Sequence, residues 1–436
     1  MPGAHSAARR LSSSREPLRS HFERVRSATE ALCRSLQIED YGIQTMPDVS
    51  PVKWHIAHTS WFFETFLLVP NLDGYKPFHP AFDYLFNSYY VTHGKPYLRP
   101  ERGLLSRPTV AEVYEYRRAV DEQMLRLMEM SSDDAWSTLE PLITLGLNHE
   151  QQHQELMLTD IKHVFAHNPL RPVYRGDLPE APRMAHAQPL TFHDYAGGVH
   201  EIGHAGSGFA YDNEAPRHRV WLEAFALASR PVSNRDYIEF IEDGGYREPR
   251  WWLSEGWSTV QNAGWQAPLY WEQRDGAWWH MTLAGMRPVD LDAPVCHVSH
   301  FEADAYAAWA GKRLPTEAEW EHAAESALAA DADLLQGANL RDAGYLQPVA
   351  AQAVGGVQQL FGDVWEWTAS PYTAYPGFRV PDGPVGEYNG KFMSGQLVLR
   401  GGSCATPADH IRSTYRNFFY PKDRWQFSGI RLAEDR

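Results

Sequence analysis

The sequence predicts an α + (α+β) protein, with a four-helix bundle in its first part and a loop-rich α+β domain in its second. Three observations lead there. Over the first ~170 residues apolar side chains recur at helical spacing. From about residue 190 the pattern changes to short strand-like runs separated by turns rich in Gly, Pro, Asp and Trp. Between the two lies a proline-rich connector, NPLRPVYRGDLPEAPRMAHAQPL. A chain of 436 residues also exceeds one ordinary core. The expected boundaries are a flexible tail over 1–15, the bundle over 16–170, a linker over 171–190 and the second domain over 191–436.

Each helix of the bundle has its own signal. Leu18, Phe22, Val25, Thr29, Leu32 and Leu36 mark the first. Ser50-Pro51 reads as an N-cap followed by proline at the first helical position, opening a helix that runs through Trp61 to about Leu67. Thr109-Val110-Ala111-Glu112 is a capping box for the third, with Val113, Val120, Met124 and Leu127 turned inward. The fourth is expected from near Pro141 to just before Asn168-Pro169. Residues 68–107 form one long excursion, and bundles of this kind commonly hold metal in their core. In the second domain, HRVWLEAFAL and QLVLRGGS read as strands, and helices are expected at His300–Ala310 and from Pro315-Thr316-Glu317.

Composition narrows the function. A formal net charge of −15 lacks the basic footprint that nucleic acid requires. No apolar run approaches the ~20 residues of a membrane helix, and the basic, Ser-rich N-terminus has no apolar signal core. Cys33, Cys296 and Cys404 are odd in number and far apart, without a C-x-x-C, so a reducing cytoplasm is expected.

The fourth helix carries NHEQQHQEL (148–156). His149 and His153 lie four apart, about 40° and one turn from each other, so both can grip one metal. Gln152 borders the same face and Glu155 is turned away. His149 to His153 also spells the metalloprotease pattern H-E-x-x-H, with Glu150 as its general base. The longer metzincin pattern fails, since Leu156 and Thr159 stand where Gly and His are needed; a more distant glutamate ligand stays open. His163 lies ~15 Å further along the axis and cannot share the metal. A third histidine is offered by WHIAHTSWFFETF (54–66): His58 on the aromatic side, with His55 as its rival. Three neutral imidazoles leave positions for substrates and suit Fe(II) oxygen chemistry as well as zinc.

With these motifs the chain resembles a known family. W-x-x-A-H (Trp54 to His58) and H-x-x-x-H-x-E (His149, His153, Glu155) resemble the DinB-like bundle of the ergothioneine-biosynthetic sulfoxide synthases. RPVSNRDYIEFIEDGGY, KRLPTEAEWEHAA, FGDVWEWTAS and LRGGSCAT resemble the formylglycine-generating-enzyme (sulfatase-modifying factor) domain, of C-type-lectin-like fold. That enzyme's own activity needs a close cysteine pair, and only Cys404 is present. The resemblance implies Fe(II) held by His58, His149 and His153. It also implies O2-dependent joining of a thiol to C2 of Nα-trimethylhistidine (hercynine), with the sulfur left as a sulfoxide.

Matched to the family's motifs, Gln152 lies near the trimethylhistidine and Asn417 holds its carboxylate. Phe418 and Phe419 replace the acid that contacts γ-glutamylcysteine in one branch, so cysteine is the expected thiol. Tyr388 matches the second member of a tyrosine pair, whose first member, the catalytic one, falls near Val385 and is missing. Tyr89 and Tyr90 of LFNSYY are the candidates for the proton donor in its place. Arg99 and Arg102 are candidates for the carboxylate of cysteine, and Trp365 and Trp367 for the domain core. The alternatives are γ-glutamylcysteine as donor, an ovothiol-type or selenium-transferring synthase, and a metal-dependent thiol transferase.

Overall fold

The computed structural model describes the chain from residue 3 to 436, except residues 92, 183–188, 353, 354, 382–385 and 387; for residues 3–14 it describes the backbone alone. The chain divides into two compact units, Met1–His167 and Asn168–Arg436.

The first unit is built on four helices: α1 (Gly3–Cys33), α2 (Val52–Phe63), α3 (Val110–Met130) and α4 (Asp133–His167). Helix α1 is helical in its backbone from Gly3, through the segment read as a tail. Helix α2 packs on α3 and α4, and α1 packs on α4. Every residue of α2 is buried, so it shows no amphipathic stripe. Its start differs by one residue from the expectation. Pro51 is the N-cap, at an extended ψ of 143°, and Ser50 gives its backbone N–H to Asp160 Oδ2 at 2.8 Å. Past Phe63 the chain takes a π-helical turn over Glu64–Leu68. The buried Glu64 accepts the Tyr116 hydroxyl at 2.7 Å and the Tyr75 hydroxyl at 2.6 Å. The Thr109 capping box forms as expected: Glu112 N–H reaches Thr109 Oγ1 at 3.2 Å and Thr109 N–H reaches Glu112 Oε2 at 2.7 Å.

Helix α4 begins at Asp133, well before Pro141, with Asp133 and Asp134 in its first turn where the helix dipole favours acids. Pro141 therefore sits inside the helix. Its ring leaves the Ser137 carbonyl without a helical donor, but Ser137 is exposed and water can take its place. Further along, Gly146 lets α4 approach α2 closely: a Cβ there would stand 2.7 Å from Phe63 Cε1.

Among the described residues the second unit holds four small sheets with helices and long connections. Strands β1 (Phe192–Tyr195), β4 (Phe225–Ala228) and β12 (Ala433–Asp435) form one sheet, and β2 (Gly198–Ile202) pairs with β3 (His218–Leu222). Strands β5 (Trp271–Arg274), β6 (Ala277–Thr282) and β7 (Gly285–Pro288) make a meander. The fourth sheet runs β10 (Asn417–Phe419), β9 (Leu397–Arg400), β8 (Trp365–Pro371), β11 (Ser428–Gly429), with the β8–β11 pair parallel. Capped helices occur at His300–Trp309 (Ser299 cap) and Glu317–Ala330 (Thr316 cap), close to expectation. Trp365 and Trp367 are buried in this unit's core, the latter donating from Nε1 to the Val298 carbonyl at 2.9 Å. The three cysteines are buried. Among the described residues no helix is long and apolar enough to cross a membrane.

Candidate metal centre

Helices α2 and α4 face each other inside the first unit, and each contributes histidines at their contact. His58, His149 and His153 are all buried and offer ligand nitrogens that lie within 4.8 Å of one another. His58 Nδ1 stands 2.6 Å from the Phe86 carbonyl, which can only accept, so Nδ1 carries the proton and Nε2 the lone pair. That Nε2 is 3.2 Å from His149 Nε2. Two nitrogens ~2.1 Å from one metal stand about 3.0–3.4 Å apart at angles near 90–110°, so the separation fits a shared ion. Burial, then the charge of neighbouring imidazoles, drives the pKa of His58 and His153 well below the usual histidine value; burial takes His149 down to about 3. Three neutral imidazoles in a dry setting are suitable donors for a divalent transition metal.

The His58 ring is packed among aromatic neighbours. Trp54 stacks on one face of His58 (centroids 4.5 Å apart, interplanar angle 14°) and Trp61 on the other (5.5 Å, 15°). Beyond Trp54 the Arg102 guanidinium lies 3.3 Å above the indole. His55 is not in the cluster. It sits behind His153, with Nδ1 2.8 Å from His153 Nδ1 and Nε2 2.9 Å from Asp160 Oδ2. His163 is elsewhere, its Nδ1 2.6 Å from Thr45 Oγ1.

The protease reading does not survive the surroundings of Glu150. Its carboxylate is buried in an ion-pair network with Arg26 Nη1 at 2.7 Å and Arg117 Nη2 at 2.6 Å, and it accepts Thr29 Oγ1 at 2.5 Å. Burial pushes its pKa up, but the two arginines overcome that and hold it at about 2. A general base must take a proton near neutral pH. Glu150 instead anchors α4 to α1 and α3.

The other expected residues fall into distinct settings. Gln152 is half-buried on α4, one residue before His153. Glu155, read as facing away from the metal, is itself buried. Tyr90 is buried with its ring 5.6 Å from Trp61, and the half-buried Tyr89 stacks on Tyr90 at 4.7 Å. An aromatic column thus runs from His58 through Trp61 to both tyrosines.

Arg102 is buried and donates to Ser50 Oγ at 2.9 Å and Ser88 Oγ at 3.2 Å; among the described residues its Nε has no acceptor. Burial lowers its pKa from the usual arginine value. Arg99 is exposed and gives Nη2 to the Asp48 carbonyl at 2.5 Å.

In the second unit, Asn417 starts β10 and its Oδ1 accepts the Phe418 N–H at 2.9 Å. Phe418 stacks on Tyr372 at 4.0 Å, Phe419 meets Trp425 edge-on at 5.5 Å, and Tyr388 stacks on Tyr211 at 5.3 Å. Val385, near which the resemblance places the missing tyrosine, lies outside the described residues.

Two features escaped the sequence reading. Asp160 follows His153 by seven residues and so returns to nearly the same helix face, a spacing that was there to be found. Arg26 and Arg117, the partners of Glu150, are far from it in sequence and carry no local signal.

Comparison with known proteins agrees with this architecture. Residues 21–157 match the DinB superfamily, and residues 192–436 match the sulfatase-modifying factor enzyme 1-like domain. The chain is 35% identical to a hercynine oxygenase of Mycobacterium tuberculosis, over 96% of this chain and 99% of the relative. It is 34% identical to that of Mycolicibacterium thermoresistibile, over 95% of each. Ergothioneine biosynthesis protein 1 of Schizosaccharomyces pombe is 29% identical over 52% of this chain and 28% of its own length. With both domains matched in order and near-complete coverage of these relatives, the chain belongs to the hercynine oxygenase family.

Proposed function

We propose that the protein is a sulfoxide synthase of ergothioneine biosynthesis, using Fe(II) held by His58, His149 and His153 to join hercynine C2 to the sulfur of cysteine. The observation that carries this reading is the buried cluster of three neutral imidazoles, in a chain similar along its length to hercynine oxygenases. The reaction balances with one O2. The hercynine C2–H and cysteine S–H bonds break, a C–S bond forms, one oxygen atom ends on sulfur, and the other leaves as water with the two hydrogens. Bound iron supplies the electron exchange with O2 that no group of the chain offers.

The chain's own residues bind, orient and move protons. Arg102 is the donor for the cysteine carboxylate: its guanidinium is buried, and among the described residues its Nε has no acceptor. Leaving such a charge without an anion is costly, and a bound carboxylate offsets that cost. Arg99, at the exposed start of the same turn, holds that turn to the Asp48 carbonyl and adds positive charge at its rim. Gln152 borders the imidazole of hercynine. Asn417 takes the hercynine carboxylate through its NH2, which among the described residues has no acceptor, while its Oδ1 is held by Phe418 N–H. Phe418 and Phe419 put apolar rings where a longer acidic thiol would need a polar partner, and Tyr388 contributes a further aromatic surface. Tyr90, with Tyr89 stacked upon it, supplies the proton that directs oxygen toward C–S coupling. Without that proton, oxidation of cysteine to its sulfinic acid competes.

The test is mass spectrometry of products formed under 18O2 by Fe(II)-loaded protein given hercynine with cysteine or with γ-glutamylcysteine. A coupled product carrying one 18O and formed with cysteine supports the reading. Absence of coupling with either thiol overturns it, and coupling with γ-glutamylcysteine alone overturns the choice of thiol.

A further inference from the structure

A line of hydrogen bonds approaches the histidine cluster from behind. Asp160 Oδ2 accepts the Ser50 backbone N–H at 2.8 Å and lies 2.9 Å from His55 Nε2; His55 Nδ1 in turn lies 2.8 Å from His153 Nδ1. All four residues are buried, so water does not compete for these contacts. The direction of each bond follows from what the atoms can do. A carboxylate offers only acceptors, so His55 donates from Nε2. A neutral imidazole has one N–H and one lone pair, which leaves His55 Nδ1 to accept. The proton in the contact between the two Nδ1 atoms therefore belongs to His153, and the lone pair of His153 is on Nε2. His58 reaches the same state by another route, with its Nδ1 proton given to the Phe86 carbonyl.

We infer that Asp160 and His55 form a relay that holds His153 in its Nδ1–H tautomer and so presents Nε2 to the metal. His55 is a positioning residue, and the inference rests on the reading of His58, His149 and His153 as a metal site. Carboxylate and carbonyl partners of ligating histidines commonly act this way, and their loss typically weakens metal binding 10–100-fold. Here the carboxylate acts through a second imidazole. It also explains why a histidine stands at position 55, in a helix buried on all sides, where an apolar residue would avoid the cost of desolvation.

The experiment is a Co(II) titration of the full-length protein, followed by its visible absorption, on wild type, His55→Phe, His55→Asn, Asp160→Asn and His149→Ala. Phe keeps a ring of similar size but has no acceptor. Asn places its carboxamide oxygen near the position of His55 Nδ1 and restores one. The expected result is about a 10–100-fold weaker Kd for His55→Phe, with His55→Asn close to wild type. Asp160→Asn keeps the His55 ring in place and is expected to weaken binding several-fold, which gives the same reading should His55→Phe fail to fold. Wild-type affinity in both His55→Phe and Asp160→Asn overturns the relay, as does an equal loss in His55→Asn and His55→Phe, since ring packing would then be the cause. If the wild type binds no Co(II), or His149→Ala binds as well as wild type, the metal reading itself fails and the relay with it.

Discussion

Replacing Glu150 by alanine removes the carboxylate that pairs with Arg26 and Arg117 and leaves two buried guanidinium groups without it. Arg117 keeps a 3.3 Å contact to Glu30, and Arg26 a 2.6 Å contact to Asp121, so the charges are not wholly abandoned. The loss has the same size from either side of the pair. Truncating one partner of a buried ion pair costs about 3–5 kcal/mol. Independently, the Glu150 pKa falls from 4.5 to about 2 in the folded chain, which is worth roughly 3 kcal/mol at ~1.4 kcal/mol per unit. The sign follows from the depression: the stabilisation is complete above the unfolded pKa and is lost as pH falls toward the folded one. About 2 kcal/mol of it should be gone by pH 3. Urea unfolding of wild type and Glu150→Ala, followed by a probe of the first unit, measures the difference at pH 7 and pH 3. A gap of about 3–5 kcal/mol at pH 7 that narrows at pH 3 is expected. A gap under about 1 kcal/mol at pH 7, the range of a surface pair, or one that widens in acid, refutes the reasoning.

Further outcomes follow from the same geometry. Tyr90→Phe, alone or with Tyr89→Phe, should shift product from the coupled sulfoxide toward cysteine sulfinate; an unchanged ratio in the single and double variants removes the tyrosines from the proton-transfer role. Arg102→Ala should raise KM for the thiol at least about tenfold, in line with the ~1.5–3 kcal/mol of a hydrogen bond to a charged group, with KM for hercynine little changed, and steady-state kinetics in each substrate would separate the two. Gly146→Ala should cost about 1–3 kcal/mol in a thermal or urea melt, because its Cβ would meet Phe63 at 2.7 Å.

What the sequence showed and what it hid have physical causes. Local signals held: the Thr109 capping box forms, because it is decided within four residues, and the structure adds boxes of the same kind at Ser299 and Thr316. The pairing of His149 with His153 was legible from helical spacing alone, whereas the preference for His58 over His55 drew on aromatic neighbours and family resemblance. The start of α4 was missed because proline was read as a beginning, while the exposed Ser137 carbonyl allowed it within the helix. Helix α2 gave a weak pattern because it is buried on every side, so no polar face marked its orientation. The fate of Glu150 was hidden entirely. H-E-x-x-H spells a catalytic glutamate, and only residues 124 and 33 positions away show that it is an ion-pair anchor.

The proposed function requires that the three histidines hold an iron that consumes O2 only when both substrates are present. An oxygen electrode tests this on anaerobically Fe(II)-loaded wild type and His153→Ala, each given hercynine, cysteine, or both. Rapid uptake by the wild type with both substrates, little with either alone, and none above background in His153→Ala is the predicted result. Uptake that is indifferent to hercynine, or undiminished in His153→Ala, would contradict it.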